Sequence, residues 1–412
     1  MRKKAIAISR GVIRKEPNYV FYWLHFMRGL AYGLVSPIYA VLLFSSGLDA
    51  FQVGLINLIF ILTNLFFQLP AGALADSWGR KKAFLTSSFF NSLAFFAYAF
   101  GRRWPIFALA EFFSGLGYVL MMGILEAWAV DAWKGRLNSH QRSEAEYGFL
   151  FSRAETALCS ASMVGGLMGG ILGSISLHLP FFAGGLIFLL IFIMAYILIE
   201  EKVPEGKVKL KIIMKKSVRI AKEGTKEGFK NRRIWQVALF AGMAMIAFKV
   251  VDMFWAKRFV DLFQGRVWIT GYMWPLMTFF MIIGVSLLKW WTDRKKDYLK
   301  GFMFVSLWAG ATVFLSSIFK NFYPAVFFFF LYELSRGIQR PALFSYFNKI
   351  IPSKKRATIL SFTITVVWLG GAIGLLTLGW IAKKFSIETA WLGASGVFLL
   401  SLAPILYLRR RN

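Results

Sequence analysis

Gly72-Ala-Leu-Ala-Asp76-Ser-Trp-Gly79-Arg80-Lys81-Lys82 is the stretch on which the reading of this chain turns. It sets two glycines, one acid and three consecutive cations between two apolar runs, residues 51–75 and 83–100, each about long enough to cross a bilayer. Gly72 and Gly79 permit close backbone approach and a sharp turn. Asp76 is an acid at the end of an apolar helix, and Arg80, Lys81 and Lys82 resist translocation. The expectation is a tight hinge on the cytoplasmic face of a membrane.

Apolar runs continue on both sides of the hinge. Twelve can be counted, at residues 19–44, 51–75, 83–100, 105–130, 151–174, 180–199, 234–255, 267–288, 301–319, 324–347, 357–381 and 389–408. With 58% hydrophobic residues and a mean hydropathy of +0.58, the chain falls outside the soluble globular class. A net charge of +29 would suggest nucleic acid in a soluble protein, so the placement of the cations decides its meaning. They alternate by side: six precede span 1 and twelve lie between Lys202 and Arg233, whereas the loops of the opposite side hold eight together. The positive-inside rule then puts both termini in the cytoplasm. Charge of this kind orients the protein and attracts membrane lipids, and implies no nucleic-acid partner.

The organisation that follows is a cytoplasmic tail (1–18), six spans (19–200), a basic linker (201–233) and six more spans (234–412). The first run is too long for a signal-peptide core, so span 1 is expected to be retained. In the linker, Leu210, Ile213, Met214, Ser217 and Val218 recur at helical spacing among lysines. That pattern reads as an amphipathic helix on the inner leaflet, or else as a solvated linker. The halves also echo each other. Gly54 and Asp76 correspond to Gly271 and Asp293, the latter within an eroded hinge. Glu111-x-x-x-Gly115 corresponds to Glu333-x-x-x-Gly337, and Arg153-Ala154 to Arg356-Ala357. The single cysteine, Cys159, excludes an intramolecular disulfide. No phosphate-binding loop or metal-ligand spacing occurs, and the three histidines, His25, His140 and His178, are dispersed; no cofactor or metal is expected.

At the hinge the chain resembles the major facilitator superfamily, whose loop between helices 2 and 3 reads Gly-x-Leu-x-Asp-Arg-x-Gly-Arg-Lys-Lys; Ser77 stands in place of the first arginine. The resemblance implies an all-α integral membrane protein of twelve transmembrane helices in two pseudo-symmetric six-helix bundles. It also implies a monomer in the plasma membrane that moves a small molecule by alternating access, and no enzyme activity. In this family helices 1, 4, 7 and 10 line the central cavity, and 3, 6, 9 and 12 face lipid. Ionisable residues inside the runs agree, being absent from spans 3, 6, 9 and 12. Span 1 has His25 and Arg28, span 4 has Glu111 and Glu126, span 7 has Lys249 and Asp252, and span 10 has Glu333, Arg336 and Arg340. A charge at the bilayer centre costs about 2.5–3.5 kcal/mol on insertion scales, so such residues face a cavity or a partner.

Spacing adds detail. Glu333, Arg336 and Arg340 project from one face of span 10, and Lys249 and Asp252 are neighbours that can neutralise each other. Arg28 is expected to be matched by an acid such as Glu333 or Glu111. Glu111 stands where the family's efflux members carry an arginine; a carboxylate in an apolar cavity suits a proton carrier, so Glu111 or Glu333 is expected either as a protonation site or as an acid locked against Arg28, Arg336 or Arg340 and ionised throughout. Glu126-Ala-Trp128-x-x-Asp131 resembles a stretch of some drug-transporter-type facilitators. With Asp76, Arg80, Arg153 and Arg356 it is expected at a cytoplasmic gate. Gly165, Gly166, Gly169 and Gly170 form a helix-packing seam where the family's antiporter signature has Gly-Pro-x-x-Gly-Gly, with Gly166 replacing the proline.

Aromatic residues on the charge-bearing spans, namely Tyr22, Trp23, Tyr39, Tyr118, Trp255 and Tyr332, point to a hydrophobic or amphipathic compound exported in exchange for protons. The alternatives are a proton symporter or uniporter importing an anionic solute through Arg28, Arg336 and Arg340, and, in another class, a polytopic membrane enzyme or lipid-handling scaffold.

Overall fold

A computed structural model describes residues 16–134, 144–200, 210–295, 297–352 and 355–410; His140 and most of the N-terminal tail lie outside them. The described residues form helices and no strand. In order they are α1 (Pro17–Val35), α2 (Tyr39–Ser45), α3 (Ala50–Trp78), α4 (Arg80–Phe100), α5 (Trp104–Met121), α6 (Ile124–Lys134), α7 (Glu144–Ile175) and α8 (Leu179–Leu198). There follow α9 (Leu210–Lys230), α10 (Arg232–Leu262), α11 (Ile269–Lys295), α12 (Tyr298–Ile318), α13 (Phe322–Ile350), α14 (Arg356–Lys384), α15 (Ile387–Leu400) and α16 (Leu402–Arg409). Among these residues eleven helical segments are long and apolar enough to cross a membrane. α13 matches the remaining expected span in length, but Glu333, Arg336, Arg340 and Lys349 make it more polar.

The hinge is narrower than its sequence suggests. α3 continues as helix through Gly72 and Asp76 to Trp78, because Ala-Leu-Ala favours helix and nothing there demands a turn. Gly72 therefore turns nothing. The reversal falls on Gly79 alone, at φ +91°, a conformation that a side chain would strain. The side chains of Asp76 and Asp293 lie outside what the structure describes.

Two spans are broken. Pro37 interrupts the first at Ser36–Ile38, since proline lacks an amide hydrogen and its ring meets the preceding turn. Pro70, Pro275 and Pro341, by contrast, sit inside continuous helices. Span 4, expected as a single run, breaks at Met122–Gly123 without a proline; Gly123 takes φ +75° and α6 restarts at Ile124.

Residues 1–36 with 66–214, and 37–65 with 215–412, form two compact units. In the first, α1 and α7 approach so closely that a methyl group added at Gly165 would sit 2.5 Å from the Leu30 carbonyl oxygen, and one at Gly169 2.1 Å from that of Leu34. Gly29 and Gly33 return the same approach toward Leu158 and Ser162. Gly166 and Gly170 are buried alongside. In the second unit α10 and α14 meet similarly, Gly370 against Gly242 and Gly374 against Ile246. α3 starts in this unit with reciprocal hydrogen bonds between Asp49 and Gln52, and Asp49 also pairs with Lys383 at 3.1 Å. α9 is helical; the side chains of Leu210, Ile213, Met214 and Ser217 lie outside the described ones, and Val218 is exposed. Its second half lies on α14, Gly224 against Thr358 and Gly228 against Phe362. A hydrogen bond from Lys355 holds the Glu227 carboxyl below its ordinary range.

One cation outside the expected set joins three helices. Arg258 of α10, 1% exposed, donates to the carbonyls of Ser316, Ser317 and Phe319 at the end of α12. It pairs with Glu388 in the first turn of α15 at 2.6 Å and lies over the Trp391 ring at 5.1 Å. A guanidinium there both satisfies orphan carbonyls and meets the negative end of a helix dipole.

Two substitutions test these contacts. Gly169→Leu is expected to cost about 1–3 kcal/mol through overpacking, read as a fall in Tm in detergent, with Gly72→Ala, whose site is open, as the neutral control. Arg258→Met is expected to lower stability by about 1.5–3 kcal/mol through lost charged hydrogen bonds. An unchanged Tm in either variant would contradict the packing described.

Candidate functional site

Each unit contains a buried polar cluster. In the second unit the interior helices are lined with large apolar side chains, so any charge inside needs a partner. Glu333 on α13 is fully buried. Arg336, one turn on, reaches both its carboxylate oxygens at 3.1 Å and crosses to Asp252 on α10 at 2.9 Å. Two carboxylates thus share one guanidinium. Tyr332 is buried beside them, stacked toward Phe248 and Phe329.

Asp252 turns to α13, while the stem of Lys249 passes Gly371 on α14. Arg340, on the same stripe as Arg336, is exposed and lies 5.9 Å from the ring of Phe344.

In the first unit Glu111 is also buried, but its setting differs from Glu333. Tyr98 of α4 donates its hydroxyl to Glu111, and the Tyr98 ring lies between Phe107 and Phe181. Glu111 thus meets Tyr98 where α4, α5 and α8 pack together. α4 is not simply a lipid-facing helix: Ser87, Asn91 and Tyr98 are buried on one side, Phe89, Leu93 and Phe100 exposed on the other. Asn91 accepts from Tyr32 of α1 at 3.0 Å, and Ser87 donates to the carbonyl of Gly117 at 2.9 Å. Charge counting overlooked these neutral groups; the alternation of serine and asparagine at helical spacing is the signal that reveals them.

The second polar contact of this unit joins α1 to α6. His25 is 2% exposed and lies 3.4 Å from Glu126, which opens α6 just past the Gly123 break. Arg28 acts electrostatically on both Glu126 and Tyr32. Glu126, expected at the gate from the stretch it opens, is thus one of the groups that the Arg28 charge influences.

The expected gate residues mostly fasten helices of the same unit. Arg80, first residue of α4, donates to the Ala127 carbonyl and to Asp131 on α6. Lys81 donates to the carbonyl of Tyr196 on α8 at 2.7 Å and lies over its ring. Trp128 donates to the Glu200 carbonyl at 3.2 Å. Arg153 is exposed on α7, stacked 4.1 Å from Phe149, and Arg356 opens α14 within 3.4 Å of the Asn348 carbonyl. Among the described residues no group of three or more acids, histidines or cysteines is spaced for a metal.

Comparison with known proteins agrees with this architecture. The chain is 27% identical over 387 residues to the uncharacterized MFS-type transporter YxaM of Bacillus subtilis (strain 168), covering 92% of this chain and 91% of that one. Over 172 residues, 42% of each chain, it is 24% identical to the quinolone resistance protein NorA of Staphylococcus aureus (strain MRSA252). Among solved structures it is similar in fold to the nucleoside transporter NupG, with a TM-score of 0.78, 12% identity and 95% and 98% of the two chains covered. A bacterial homologue of the human lysosomal transporter Spinster, inward-facing and occupied, gives a TM-score of 0.74 at 11% identity over 98% and 97% of the chains. The family model for the Major Facilitator Superfamily matches residues 21–375. The chain therefore belongs to the Major Facilitator Superfamily: it is a multi-pass plasma-membrane transporter of small molecules and not an enzyme.

Proposed function

We propose that this transporter exports a hydrophobic or amphipathic compound in exchange for protons, with α13 included as span 10 to make twelve and both termini cytoplasmic. In this reading the bundles 19–200 and 234–412 rock as a monomer about a central site. The observation that carries it is the sharing of Arg336 by Glu333 and Asp252. With both acids ionised the three groups carry one excess negative charge, with Glu333 fully buried and the Asp252 side chain 37% exposed, and a single proton removes it. Proton uptake at such a cluster lowers the cost of burying it, so occupancy and conformation are linked. Glu333, the fully buried acid, is the proposed acceptor; Glu111, held by Tyr98, is assigned to packing. The partial similarity to NorA and the aromatic side chains around Tyr332 support an amphipathic cargo.

A second reading, import of an anionic solute, draws on Arg340, which is exposed and has no carboxylate partner among the described residues. Everted and right-side-out vesicles separate the two: export gives probe accumulation in the first, import in the second.

Proteoliposomes with an imposed pH gradient test the proton step, using a fluorescent quinolone and a lipophilic cationic dye as probes. Glu333→Gln is expected to reduce gradient-driven flux at least about tenfold, equivalent to about 1.4 kcal/mol in the driven step. Glu111→Gln is expected to retain it. Full gradient-driven flux in Glu333→Gln, or in Asp252→Asn and Glu333→Gln combined, would place coupling elsewhere.

A further inference from the structure

The contact between His25 and Glu126 has a proton count that its geometry dictates. His25 Nδ1 lies 2.9 Å from the carbonyl oxygen of Phe21, one turn earlier on α1. A carbonyl can only accept, so Nδ1 bears a hydrogen. Nε2, the other ring nitrogen, faces Glu126 Oε1 at 3.4 Å. In a neutral imidazole with its hydrogen on Nδ1, Nε2 offers a lone pair, and an ionised carboxylate offers nothing but lone pairs. The two then repel. The contact becomes attractive only when one further proton lies between them, on Nε2 as an imidazolium–carboxylate pair or on Oε1 as a neutral acid donating to imidazole. Either form contains one proton more than the separated neutral imidazole and carboxylate.

The surroundings suit a proton that comes and goes. His25 is shut in by the ring of Phe21, 4.3 Å away, so its polar edge has few alternatives. The Glu126 side chain is 33% exposed, which gives water a route to the pair, while its Oε2 is buried without a hydrogen-bond partner among the described residues. The break at Met122–Gly123 places Glu126 in the first turn of α6, beside the free amide hydrogens and the positive end of the helix dipole. α1 and the helices packed on α1 and α6 carry the following ionisable groups. α1 brings Arg28 and Tyr22, and α7 brings Arg153, which interacts with Tyr22. α4 brings Arg80, already tied to Asp131 of α6, and Lys81, which lies over Tyr196 of α8; α5 brings Tyr118 toward Tyr32. Imidazole is the side chain whose unperturbed proton exchange lies nearest neutrality.

We infer that His25 and Glu126 form a proton-binding site: the pair takes one proton from water when α6 lies against α1 and returns it when they separate. Only N–H or O–H bonds form and break, and the proton is the sole species exchanged. Its use in transport rests on the proton-coupled reading above, but its existence is measurable without any substrate.

The test uses the full-length protein in lipid nanodiscs with ¹⁵N-labelled histidine, read by NMR alongside infrared difference spectra of the carboxyl region. His25→Gln assigns the His25 signals. Between about pH 5 and pH 8 the Nδ1 proton of His25 is expected to persist while a single-proton event involves Nε2 or the Glu126 carboxyl. In Glu126→Gln that event is expected to move by at least about one pH unit or vanish, whereas Glu126→Asp restores it. Identical His25 titration in wild type, Glu126→Gln and Glu126→Asp, with no carboxyl band sensitive to Glu126, overturns the proposal. If the event is present but flux ignores the pH gradient, proton coupling fails and the site stands. If the event is absent while gradient-driven flux persists, the site fails and coupling stands.

Discussion

Inside a bilayer the lipid tails are as apolar as leucine, so helices are not driven together by exclusion from water and must gain from close packing and polar contacts. Here that gain is concentrated where one backbone touches another. α1 rests on α7 at Gly29, Gly33, Gly165 and Gly169, and α10 rests on α14 at Gly242, Gly370 and Gly374. These contacts fix the separation of the helices that carry His25, Arg28 and Asp252. The polar contacts depend on that spacing, because a hydrogen bond tolerates only a few tenths of an ångström.

The two seams occupy equivalent places in the two halves, the first and fifth spans of each. The duplication seen as Arg153-Ala154 and Arg356-Ala357 therefore introduces the same packing device twice. The halves differ in what they do with charge. One has Arg336 bridge Glu333 and Asp252 across α10 and α13. The other gives Glu111 to a tyrosine and turns His25 toward Glu126 on a restarted helix. A repeat retained in steric terms has diverged in electrostatic ones.

The membrane class and the succession of apolar helices were legible because both follow from a long-range average, hydropathy over about 20 residues. Individual partners were not. Asp252 reaches Arg336 on another helix, a partner that spacing along the chain does not name, since which neighbour lies opposite a residue is set by helix rotation. Arg258 escaped notice because the apolar run was closed at Trp255, although the helix continues to Leu262. The break in span 4 lacked a proline to mark it; Gly123 alone, among good helix formers, gives a weak local signal. The hinge shows the opposite error, in which a motif looked like a turn throughout and its first seven residues are helix.

Gly79 is the entire connection between α3 and α4, a single residue at φ +91°. Such a joint has no slack. The first two residues after it are bound by their side chains, Arg80 to α6 and Lys81 to α8. Any roll of the end of α3 about its own axis is passed, undamped, to three other helices at once. A short crank of this kind converts rotation at one rod into displacement of its neighbours, and it works because the chain there is too brief to absorb the torque.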